Sequence, residues 1–113
     1  MAVRVFCSDP SGLLNLIKAA IRKGTVETWS LDDDGDFTHN PPQWRYKAWL
    51  RPKIEADKLT LHILGRKGPR MSGVTYGVYH GRFIEMLLTH FDTKFTRASA
   101  TALPVEGDNV SGT

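Results

Sequence analysis

A single cysteine, Cys7, occurs among 113 residues. One thiol excludes an internal disulfide and any zinc site built on several thiolates, and it fits a reducing compartment. No apolar run approaches the roughly 18 residues that a membrane helix needs. The opening MAVRVFCSDPSG also lacks the long apolar region of a secretory signal, so a cytoplasmic protein is expected. His39, His62, His80 and His90 show no HxH, HxxxH or HExxH spacing, and no GK[ST] ending makes a Walker loop. No metal or cofactor is expected. Internal repeats and low-complexity segments are absent as well.

What is present is a globular composition, 41% hydrophobic and 24% charged, with three Trp, three Tyr and five Phe. The length suits one domain and one core. We expect that domain to span 1–103. The last stretch, PVEGDNVSGT over 104–113, has no apolar periodicity and is expected to be a flexible tail.

The elements follow from periodicity. AVRVF alternates and is rich in valine, as in a strand. In SDPSGLLNLIKAAIRKG, Asp9 or Ser8 can cap a helix, Pro10 suits its first position, and Gly24 suits its stop. Leu13, Leu14, Ile17, Ala20 and Ile21 share one face of that helix. TVETWSL and a short segment around Phe37 read as strands on either side of an acidic turn. WRYKAWLRPKI alternates strictly from Trp44, as does KLTLHIL, with EADK as the hairpin connection. VTYGVY reads as a further strand from its β-branched and aromatic content. GRFIEMLLTHF has helical spacing, and KFTRASATAL closes as a strand. The expected fold class is α+β: a two-layer sandwich with a mostly antiparallel sheet and two helices on one face. Its element order resembles a ferredoxin-like fold with extra strands.

Charge is uneven along the chain. Between Arg45 and Arg70 there are eight basic residues against two acids, within a formal net charge of only +3. The alternation from Trp44 sets Arg45, Lys47, Trp49 and Arg51 on one strand face, where an indole between cations can stack a nucleobase or centre a protein interface. The loop GRKGPRMSG adds Arg66, Lys67 and Arg70. We therefore expect an interaction or regulatory domain that binds a macromolecular partner through Arg45, Lys47, Trp49, Arg51, Arg66, Lys67 and Arg70. A homodimer is expected, because an aromatic-rich face in so small a domain gains from being covered. A single-stranded nucleic-acid module is the alternative, and a small enzyme using His80 as acid/base is a third reading, since imidazole titrates near neutrality.

Three motifs resolve into simpler readings. The acidic run DDDGD matches an EF-hand loop in neither register: from Ser30 the twelfth position is Pro41, and from Asp32 the glycine position is Phe37 and the twelfth is Gln43. Asp-Gly between two strands is instead a hairpin signal. Gly65-Arg66-Lys67-Gly68 is spelled like the GXXG loop of KH domains, which joins two helices, whereas here a strand-like segment precedes it. Cys7 sits just before a helix amino terminus, but a C-x5-R loop would need arginine at Leu13, so an inert, half-buried thiol is expected.

Overall fold

The computed structural model describes residues 1–113. Its elements are β1 (Ala2–Phe6), α1 (Pro10–Arg22), β2 (Trp29–Leu31), β3 (Phe37–His39), β4 (Ala48–Ile54), β5 (Lys58–Gly65), α2 (Gly73–Phe91) and β6 (Arg97–Ala100). This is an α+β fold. The six strands form one sheet in the order β2-β3-β4-β5-β1-β6, each neighbouring pair antiparallel, and both helices pack against it. No helix is long and apolar enough to cross a membrane.

Alternation along the strands decides which side chains face the helices. Leu59, Leu61 and Ile63 of β5 are fully buried and join Val3, Val5 and Leu50 from the flanking strands. Leu13, Leu14 and Ile17 of α1 and Tyr79, Phe83 and Leu87 of α2 complete the same cluster. Each such side chain withdrawn from water contributes about 1.5–3 kcal/mol before chain entropy is counted. Trp29 meets Phe83 and Tyr79 edge-on, with ring centroids 5.1 and 5.7 Å apart, which anchors the short β2–β3 hairpin to α2.

The first helix forms where the sequence places it. Asp9 caps it by accepting the Gly12 amide at 3.0 Å, Pro10 occupies the first turn, and Gly24 takes the left-handed conformation just past the end, at φ 81°. The acidic run is a hairpin turn. Asp32 N–H donates to the Asp36 carbonyl at 3.0 Å and Gly35 N–H to the Asp32 carbonyl at 3.1 Å.

Two segments depart from the alternation. VTYGVY is helical, forming the first turns of α2. Ser72 caps that helix through the Thr75 amide, and Thr75, Tyr79, Phe83 and Leu87 descend at four-residue steps into the core, so packing overrides β propensity. The strand read from Trp44 begins only at Ala48. Trp44 to Lys47 form a turn in which the Trp44 and Arg45 amides both donate to the Pro41 carbonyl, and Tyr46 has a positive φ of 62°. The Tyr79 hydroxyl donates to the Trp44 carbonyl and ties that turn to α2.

The tail residues run back along the sheet. Asn109 forms a parallel bridge with Leu64, and the Met71 amide donates to the Val110 carbonyl at 3.0 Å.

Candidate functional site

The face of the sheet away from the hydrophobic cluster is where the alternate residues of β1, β4 and β5 emerge. On β4 these are Trp49, Arg51 and Lys53; across the ladder Trp49 pairs with Leu64, Arg51 with His62 and Lys53 with Thr60. On β1, Ala2 pairs with His62, Arg4 with Thr60 and Phe6 with Lys58. Register thus sets Arg4 two strands from Lys53 and level with it. An open groove of about 790 Å³ lies here, bounded by Arg4, Arg51, Lys53, Lys58, Glu55 and the tail residues Val105–Gly107.

The cations of this groove differ in how they are held. Arg51 makes a two-pronged pair with buried Asp36, Nε to Oδ1 at 3.0 Å and Nη2 to Oδ2 at 2.8 Å, and that bonding raises its pKa above the ordinary guanidinium value. Lys58 lies 4.0 Å from Glu55 and 3.5 Å from Asp57. Glu55 accepts the Thr60 hydroxyl, which, with Lys58 and Lys53 nearby, holds its carboxyl below the usual range. Arg4 and Lys53 form no ion pair within 4.0 Å, and both act on Glu55 only through space. They are the charges free to meet a ligand.

Aromatic rings stand at both ends of this charged field. At the head of β4, exposed Tyr46 stacks on Trp49, centroids 6.5 Å apart and planes 22° from parallel. At the far side the Phe6 ring carries the Arg97 guanidinium 4.2 Å from its centroid, with Lys58 Nζ at 5.8 Å.

The seven residues picked from the sequence fall into three groups. Trp49 and Arg51 lie on the open face of β4. Arg45 and Lys47 belong to the preceding turn and not to that strand face; Arg45 lies over the Tyr46 ring and Lys47 over the Trp44 ring, each at 5.9 Å. Arg66, Lys67 and Arg70 are exposed in the β5–α2 connection. Lys47 meets Arg66 and Arg70 around a small cleft of about 180 Å³ beside Ser72. The GXXG spelling joins a strand to a helix, unlike a KH loop. Sequence reasoning missed Arg4, Lys53, Lys58 and Arg97. Lys53 continues the Trp49–Arg51 alternation and was legible; the others are brought in by strand order, which has no local signal.

His80 sits inside the fold at 5% exposure. Its Nδ1 donates to the Tyr76 carbonyl at 2.6 Å, Nε2 is buried without a partner, and burial lowers the imidazole pKa. His39 is likewise buried, against Trp29, and burial lowers its pKa. Cys7 is buried, which raises its thiol pKa and removes the thiolate a nucleophile needs. Asp32, Asp34 and Asp36 gather within 4.8 Å. However, Asp36 is engaged by Arg51, and Asp32 Oδ1 accepts the Asp34 and Asp36 amides at 2.9 Å, so the cluster is accounted for by the turn. No protein-family model, curated protein or solved structure matches this chain.

Proposed function

We propose that the chain is a binding module for single-stranded nucleic acid, held across the open sheet face. The supporting observation is the convergence, by register, of Arg4 and Lys53, which form no ion pair within 4.0 Å, on one groove beside the stack of exposed Tyr46 on half-buried Trp49. Cations grip phosphates while aromatic faces accept bases without regard to sequence, which is the pairing of contacts that sheet-based single-strand binders use. The groove is lined by one hydrophobic residue only, which suits a charged polymer better than an apolar peptide. Arg66, Arg70 and Lys47 extend the basic surface past the end of β4. In the same reading, β4-β5-β1-β6 with its two helices is a ferredoxin-like unit, to which the β2–β3 hairpin is added at one edge; the order of those four strands supports this and transfers no function.

The test is binding of a labelled oligonucleotide to variants whose folding is checked by circular dichroism. Trp49→Ala is expected to weaken binding by roughly 5- to 150-fold, the range for one stacked base. Arg4→Ser with Lys53→Ser should weaken it for every sequence alike. Equal binding by all three proteins would sink the reading.

A second copy of the chain is the partner we propose for the outer side of α2. Val74 and Leu88 there are 67% and 56% exposed, with the flat positions Gly77 and Gly81 between them. Sedimentation at high micromolar concentration should give a dimer; a monomer would contradict this.

A further inference from the structure

The groove has one wall that comes from the far end of the chain. β1 begins its pairing at Ala2 opposite His62, so Ile63–Gly65 of β5 have no β1 partner on that side. The tail takes the place. Asn109 N–H donates to the Ile63 carbonyl at 2.9 Å, and the Gly65 amide donates to Asn109 O at 2.7 Å. Just before it, the Asp108 carboxylate is fully buried and accepts the Val105 amide at 2.8 Å, the Ile63 amide at 3.2 Å and His62 Nδ1 at 3.2 Å. These bonds lock a tight turn over the His62 ring. Gly107, at φ +102°, lies so close that a Cβ there would stand 2.8 Å from His62 Nδ1.

The position of this turn matters for the ligand. His62 is in the cross-strand row Arg51–His62–Ala2, which runs between the Trp49 row and the Arg4–Thr60–Lys53 row. A strand reaching from the aromatic pair to Arg4 crosses that row, and on the direct diagonal it passes over His62, the ring Gly107 covers, while Glu106 brings a carboxylate to the groove's edge. The segment is fastened by the hydrogen bonds just named, by the Met1 ammonium 3.1 Å from Asp108 Oδ2 and by the Met71 amide on the Val110 carbonyl, while Ala102, Leu103 and Pro104 leading to it are exposed. Of residues 104–110 only Val110 packs against the hydrophobic cluster, and a segment held by polar bonds with so little buried apolar contact belongs to the low-stability end of a fold.

We infer that residues 104–110 form an autoinhibitory strap, which competes with the phosphodiester chain for the open face and is displaced when the chain binds. This rests on the nucleic-acid reading above. The measurement is affinity for a labelled single-stranded oligonucleotide, by fluorescence anisotropy, for the full chain, Glu106→Gln and Gly107→Ala. Glu106 is exposed, so its substitution leaves the fold intact; removing one screened charge should tighten binding roughly two- to fivefold. Gly107→Ala, which pushes the strap off His62 without changing charge, should tighten it at least as much. Hydrogen exchange at the Gly65 amide should quicken when the wild-type chain is saturated with oligonucleotide. If the wild-type chain binds, yet neither variant gains affinity and Gly65 keeps its protection, the strap is refuted and the binding face stands. If none of the three binds, the nucleic-acid reading fails and the strap falls with it.

Discussion

Replacing Gly77 and Gly81 by alanine tests the helical placement of VTYGVY and the openness of the α2 outer face together. Both glycines are exposed within α2, and a Cβ built at either meets nothing within 4 Å. The substitution therefore adds no clash and removes the backbone freedom that makes glycine poor in a helix interior, a gain of about 0.8–1.0 kcal/mol at each site. The two together should stabilise by roughly 1.6–2.0 kcal/mol, which for a chain of this size raises Tm by about 5–12 °C. Thermal unfolding followed by circular dichroism in dilute solution, where self-association is negligible, reads this directly. Gly12→Ala is the contrast. There a Cβ would run into the Asp9 carboxylate that caps α1, so a loss of about 1 kcal/mol is expected. Should the double alanine variant melt at or below the wild-type temperature, the outer face of α2 is not free, or the segment is not helical.

Two further outcomes follow from burial. His39 and His80 are held neutral by burial, so their folded pKa values lie below the unfolded ones. The unfolded chain therefore binds more protons as pH falls below about 6.5, and denaturant titrations should show stability present above that pH and declining beneath it, by at most about 1.4 kcal/mol per pH unit for each histidine. Stability that is flat or rising from pH 6.5 to 5 would contradict it. Cys7 should react with a thiol reagent only on unfolding; rapid modification of the native protein at neutral pH would show the thiol is not enclosed.

Much of the architecture was legible because local signals agreed with the final packing. Asp9, Pro10 and Gly24 bracket α1 by their capping chemistry, and Leu59, Leu61 and Ile63 announce β5 by strict alternation. The misreadings are cases where tertiary contacts outweighed such signals. Val74, Thr75, Tyr76, Val78 and Tyr79 have strand-like composition, yet the Ser72 cap and the burial of Tyr79 against Trp29 and Thr38 make them helical. Trp44 and Tyr46 fit the alternation, but the two prolines before them and the Tyr79 hydroxyl bond hold a turn. At the candidate site, Trp49 and Arg51 could be read from one strand. Arg4 could not, because it reaches Lys53 only through a register between segments more than forty residues apart.

Arg51 is an imperfect probe of that site, since its loss leaves buried Asp36 without its guanidinium and mixes a stability effect with a binding one. The salt dependence of wild-type binding avoids the difficulty. A plot of log affinity for a single-stranded oligonucleotide against log salt should be linear with a slope between about −1.4 and −2.8, corresponding to roughly two to four phosphates neutralised by Arg4, Lys53, Lys58 and Arg51. A slope near zero, or no binding at low salt, would contradict the assignment of this face to nucleic acid.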